Sequence, residues 1–158
     1  MEIVGQVCAG LGRAGIFMAQ PHYQDQFKTL FDQTAWPGTL NVQVTQHDLV
    51  QYIALRNHAG MALNDEHEEL NEKANLIDTS SFTSIRIKGF LRDGVSFGGA
   101  TAFRAKISSP SGSAVCALLI PDLTRHVDVI EIIAPLFLRE SLDVKDEDSV
   151  TITLHDER

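Results

Sequence analysis

The segment SFGGATAFRAKIS at 96–108, the turn Pro110-Ser111-Gly112 and the run SAVCALLI at 113–120 decide the fold class. Two segments rich in apolar and β-favouring residues face each other across a proline–glycine turn, the pattern of an antiparallel hairpin. Working outward, similar stretches recur at Ile3 to Ala9, Thr39 to Thr45, Ser84 to Phe90, Val127 to Ala134 and Val150 to His155. Arg92-Asp93-Gly94 marks a further turn, and the short apolar run Ile16 to Ala19, after a glycine cluster, reads as another strand. Many short strands at such spacing predict a mainly β barrel or sandwich.

Helical patterning is confined to three places. His22 to Gln33 sets Tyr23, Phe27, Leu30 and Phe31 on one face, and Trp36-Pro37-Gly38 forces the chain to turn after it. Residues His47 to Asp78, within the 46–83 stretch that the resemblance given below leaves as an insertion, differ in character: Leu49, Tyr52, Ile53 and Arg56 are helically spaced, and the acidic run Asp65 to Glu69 reads as a solvated face. This segment is expected to be a helical or partly mobile insertion in one domain spanning 1–158. Pro135 to Leu142 predicts a short helix with proline at its first position.

Thirteen Lys+Arg against 21 Asp+Glu give a net charge of -8, which repels nucleic acid and anionic membranes. A polyanionic ligand therefore needs local help from main-chain N–H groups, placed arginines or a divalent metal. No run approaches the roughly 20 apolar residues of a membrane span, and the opening residues lack a signal-peptide pattern, so a cytoplasmic address is expected. Cys8 and Cys116 form no CxxC and read as small apolar strand residues in a reducing compartment. His47, His58 and His67 lack zinc-ligand spacing.

Three clusters carry chemistry. Gly10-Leu11-Gly12-Arg13-Ala14-Gly15 satisfies GxGxxG, but Pro21 follows soon after and Asp32 falls within the expected helix, so a Rossmann site is rejected. The glycines suit either a tight hairpin turn or a loop whose N–H groups cradle phosphates, with Arg13 adding charge. In Pro37-Gly38-Thr39-Leu40-Asn41-Val42, Thr39 and Asn41 lie two apart on a strand and project to one face. Their neutral oxygens suit Mg²⁺ if a substrate's phosphates supply negative charge; equally, they suit an ordinary exposed strand edge. Glu131, among Val129, Ile130, Ile132 and Ile133, is either a partly desolvated carboxylate able to accept a substrate proton or a solvent-facing residue on a half-buried strand.

Together these clusters resemble the archaeal-type, CTP-dependent riboflavin kinase family. The resemblance is carried by Gly10-Leu11-Gly12, Tyr23 to Phe27, the PGTLNV run at 37–42, Gly89-Phe90, Phe97-Gly98, Pro121, Thr124, His126 and the run Glu131 to Pro135 with Leu138-Arg139-Glu140. It covers about residues 1–45 and 84–154. Similarity to that family implies a six-stranded cradle-loop barrel of the riboflavin-kinase/translation-factor type, with a few short helices. It implies phosphoryl transfer from CTP to the 5′-hydroxyl of riboflavin, with Mg²⁺, giving FMN and CDP. Residue by residue, it puts the nucleotide phosphates on Gly10, Leu11, Gly12, Arg13, Ala14 and Gly15 and the metal on Thr39 and Asn41. It puts the flavin against Thr124 and Glu131, and the cytidine against Leu136, Phe137, Leu138 and Arg139. Glu131 as general base is a further expectation, as is a monomeric state. Arg13 and Ala14 depart from the family's usual GLGEG, and Thr124 to Glu131 is about one residue shorter than usual. These departures motivate an alternative, a non-catalytic flavin- or nucleotide-binding barrel acting through a protein partner.

Overall fold

The computed structural model describes residues 1–10, 18–61, 63, 65–124 and 126–155. Its strands are β1 (Glu2–Cys8), β2 (Leu40–Gln43), β3 (Ser84–Ile87), β4 (Phe90–Arg92), β5 (Val95–Phe97), β6 (Ala100–Ser109), β7 (Gly112–Pro121), β8 (Val129–Ile133) and β9 (Ser149–Thr153). Six of them form a closed antiparallel barrel in the order β6-β7-β8-β2-β1-β9, with β9 returning to β6. Closure rests on Lys106 opposite Thr153, Ile107 opposite Ile152 and Ser108 opposite Thr151. The other half of the same β6 edge, Ala100 to Phe103, pairs with β3.

Period-two alternation decides which side chains fill the barrel. Ile3, Val7, Leu40, Val42, Phe103, Ile107, Leu118, Ile120, Ile130, Ile132, Val150 and Ile152 are all buried in one interior cluster. Each large apolar side chain buried this way contributes about 1.5–3 kcal/mol. A second cluster lies on the outer face, where Tyr23, Phe27 and Leu30 of helix α1 (Pro21–Phe31) cover Ala102, Ala117, Leu119 and Ile133. The small alanines there let the helix approach the sheet.

Helix α1 starts with proline in its first turn and ends where Asp32 takes a left-handed conformation (φ 58°), its N–H bonding Lys28 O at 2.8 Å. Gln24 then binds the returning chain: its Nε2 donates to Met18 O at 2.8 Å and Ala35 O at 3.0 Å, and its Oε1 accepts from Ala35 N–H at 2.9 Å. Residues 46–83 hold helix α2 (Gln46–His58), a 3₁₀ turn (Asp65–His67) and helix α3 (Glu68–Ala74). Tyr52 and Leu55 of α2 belong to the barrel's interior cluster, so this segment's first helix is part of the core. No helix among the described residues is long and apolar enough to cross a membrane.

Three expectations change. Met18 and Ala19 enter a helical turn instead of a strand, because Pro21 begins α1 two residues on and Met18 packs under that helix; residues 16 and 17 lie outside the described part. Pro135 does not open a helix: α4 is only Leu138–Ser141, preceded by extended Phe137. Ala134 O accepts Trp36 N–H at 2.8 Å, which keeps the chain extended past the end of β8. Finally, the stretches 84–90 and 96–108 each break in two. A Cβ on Gly89 would strike Phe97 O, and one on Gly99 would lie 2.8 Å from Ile87 O, so the chain crosses itself there with no room for side chains. The pieces beyond the crossing form the separate β4–β5 hairpin.

Candidate functional site

Strand β2 lies between β1 and β8, and Asn41 is paired in register with Cys8 on one side and Glu131 on the other. All three alternate with inward-facing residues and so occupy the outer face. Thr39, just before β2, donates its hydroxyl to Asn41 Oδ1 at 2.8 Å. Both residues are half-buried, so their oxygens converge at the surface and not in the packed interior. A Cβ on Gly10 would collide with Asn41 Nδ2; the bare backbone after β1 is what lets that amide settle against it.

Beside this pair opens a pocket lined by Trp36, Gly38, Thr39, Leu40, Ile132, Ala134 and Leu136 to Arg139. Trp36 and Phe137 stack at its rim, ring centroids 5.1 Å apart and planes 25° from parallel. Both stay partly exposed, at 46% and 41%, so their outer faces are open to solvent. Leu138 turns inward and is buried with the barrel core. Arg139 is held by Asp146 at 2.7 Å.

Glu131 is half-buried. Burial pushes its carboxyl above the usual range, and the charge of His126 opposes the shift. Desolvation likewise raises the Cys8 thiol, helped by Asp146 and Asp128. Such a Cys8 is a protonated, inert neighbour of Asn41 and not a nucleophile. Thr124 sits between β7 and β8, where its hydroxyl reaches His126 O at 3.4 Å.

The fold thus brings Thr39 and the stretch Leu136 to Arg139 to one pocket and sets Asn41 against Glu131. Of the glycine cluster, Gly10 adjoins Asn41, while Leu11, Gly12, Arg13, Ala14 and Gly15 lie outside the described residues. Sequence reasoning used Trp36 only as part of a turn. Its signal was the chain's single tryptophan directly before Pro37-Gly38-Thr39. Among the described residues no three His, Cys, Asp or Glu side chains gather as a metal site; what Thr39 and Asn41 themselves offer a cation is two neutral oxygens.

Comparison with known proteins shows the family of the chain. A family model named for CTP-dependent riboflavin kinases and described as a domain of unknown function, DUF120, matches residues 7–76 and 62–154. A riboflavin kinase of Sulfurisphaera tokodaii is 31% identical over 156 residues, spanning 98% of this chain and 96% of that protein. Riboflavin kinases of Pyrobaculum aerophilum and Thermofilum pendens are 30% and 32% identical over 98% of this chain. The chain spans 60% and 59% of the length of those two relatives.

Proposed function

The chain belongs to the CTP-dependent riboflavin kinase family, and from that premise we propose that it transfers the γ-phosphoryl group of CTP to the 5′-hydroxyl of riboflavin, giving FMN and CDP. The observation that carries this reading is the convergence of the Thr39 and Asn41 oxygens beside the pocket framed by Trp36 and Phe137, which Thr39 itself lines. Phosphoryl transfer asks little covalent chemistry of a protein; it asks for positioning and for neutralisation of phosphate charge.

The stacked rings of Trp36 and Phe137 offer a flat face to the cytosine, and the main chain of Leu136 to Arg139 offers donors and acceptors to its edge. Gly10 to Gly15 are assigned to the triphosphate, with Arg13 supplying charge. Thr39 Oγ1 and Asn41 Oδ1 would hold Mg²⁺. Their 2.8 Å separation matches the roughly 2.9 Å edge of an octahedron with bonds of about 2.0–2.1 Å. Such an ion, when bound, neutralises phosphate oxygens that two uncharged ligands leave fully negative.

Thr124 and Glu131 are assigned to riboflavin. The 5′-oxygen attacks the γ-phosphorus, a P–O bond forms, the bond to the β,γ-bridging oxygen breaks, and CDP departs. Glu131 accepts the hydroxyl proton. Its apolar strand neighbours support that role, because a carboxylate raised toward neutrality is a better base than one in water. The test is to incubate the chain and riboflavin with each of the four nucleoside triphosphates and magnesium. FMN and CDP in equal amounts from CTP are expected; binding of flavin or nucleotide with no FMN would overturn the reading in favour of a ligand-binding barrel.

A further inference from the structure

The connection between β7 and β8 needs no outside help to close, because the two strands already pair directly, with Leu119 opposite Glu131. It is nevertheless tied to two remote parts of the chain, each time by an arginine. Arg86 of β3 makes a two-pronged bond to Asp122: Nη1 donates to Oδ1 at 2.7 Å, and Nη2 donates to Oδ2. Gly99 leaves the space this guanidinium occupies, and its carbonyl accepts Asp122 N–H at 3.0 Å. At the other end, Arg56 of α2 donates from Nη1 to His126 O at 2.9 Å and from Nε to Met61 O at 3.5 Å.

Arg56 is 6% exposed; its guanidinium bonds the main-chain carbonyls of His126 and Met61 and lies against Tyr52, 5.9 Å from the ring centroid and hydrogen-bonded to that side chain. Burying a guanidinium is costly, and an apolar side chain would fill that space more cheaply. What the arginine adds is a fixed place for one carbonyl. That same His126 oxygen accepts the Thr124 hydroxyl at 3.4 Å, and His126 carries the charge that acts on Glu131. Rigidity has therefore been supplied specifically to the turn that bears Thr124 and His126.

We propose that Arg86 and Arg56 are positioning residues that hold Thr124 and His126 in the places that bind the acceptor substrate, an alcohol-bearing flavin. This rests on the assignment of Thr124 and Glu131 to riboflavin made above. It also gives a role to helix α2: that helix reaches across to the acceptor side of the site without touching substrate.

The experiment measures steady-state kinetics and riboflavin affinity by flavin fluorescence for the full chain, with Arg86→Gln, Arg56→Lys and, as a control, Asp25→Asn in an exposed α1 pair. Arg86 is half-exposed, so Arg86→Gln keeps the question answerable if an Arg56 variant fails to fold. Each arginine variant is expected to raise the riboflavin KM and dissociation constant about tenfold while the CTP KM stays within about twofold. Asp25→Asn should match wild type. Wild-type riboflavin affinity in folded Arg86→Gln, or an equal rise in both KM values, would overturn the proposal and leave the kinase reading standing. A wild-type chain that makes no FMN from any nucleotide overturns the kinase reading; the flavin titration then decides the present one. Weaker binding by the variants supports it, and unchanged or absent binding overturns it.

Discussion

The Thr39 hydroxyl and the Asn41 amide oxygen stand 2.8 Å apart on the outer face of a strand bonded on both sides, with Glu131 directly opposite Asn41 on the next strand. This places two neutral oxygens and a desolvated carboxyl within one small patch. Because the patch faces outward, its side chains can be altered without opening the barrel core.

Thr39→Val and Asn41→Ala should therefore leave the fold intact and cripple turnover. We expect kcat/KM to fall at least 100-fold for Asn41→Ala, equivalent to about 2.7 kcal/mol of transition-state stabilisation. Thr39→Val should raise the magnesium concentration for half-maximal rate about tenfold. Circular dichroism and a magnesium titration of the initial rate check both.

Trp36 is the sole tryptophan, so fluorescence excited selectively at tryptophan reports on the pocket alone. Adding CTP or CDP should quench it saturably, and riboflavin-free titrations should give the nucleotide affinity directly. Trp36→Ala should raise the CTP KM about tenfold, and Trp36→Phe should recover most of the loss, in keeping with about 1–3 kcal/mol for stacking one base on an aromatic ring.

Gly10→Ala should act on Asn41 from behind. A methyl group there collides with the Asn41 amide, which must shift from the position in which it accepts the Thr39 hydroxyl. The expected cost is about 1–3 kcal/mol of stability together with a loss of magnesium response resembling Asn41→Ala. Thermal unfolding and the magnesium titration separate the two effects.

Glu131 should show opposite signs in stability and activity. Its carboxyl is raised in the folded protein, so the ionised form is disfavoured there relative to the unfolded chain. Its favourable contribution is complete below the ordinary carboxylate range and is lost as pH rises through the raised folded value. Glu131→Gln should accordingly melt higher than wild type near neutral pH, with the gap closing on acidification below about pH 4.3. Turnover should fall, and the acidic limb of the kcat/KM profile should disappear.

Much of the barrel was legible because β1, β2 and β9 alternate with a period of two, whereas β6 and β7 carry buried runs on both faces where α1 covers them. Val129 to Ile133 and Ser149 to Thr153 need only a period-two reading to assign an inner and an outer face. The hairpin 100–121 was equally plain from its turn. What escaped were places where distant backbone contacts override local preference. Gly89 and Gly99 break two strands because the chain crosses itself, and no local propensity encodes a crossing. Pro135 suits a helix start, yet the bond from Trp36 to Ala134 keeps the chain extended. In the site, Thr39, Asn41 and Glu131 could be nominated from spacing and neighbours, whereas the Trp36–Phe137 stack joins residues 101 positions apart and is visible only after folding.

Strand β2 is hydrogen-bonded along both edges, so the amides of Asn41 and Val42 should be among the last to exchange with deuterated solvent. At the pocket's aromatic rim the main chain of Trp36 is tied to Ala134 O, while its ring rests on that of Phe137. On the kinase reading, a nucleotide would then meet a floor that keeps its shape beneath two rings whose outer faces stand open to solvent.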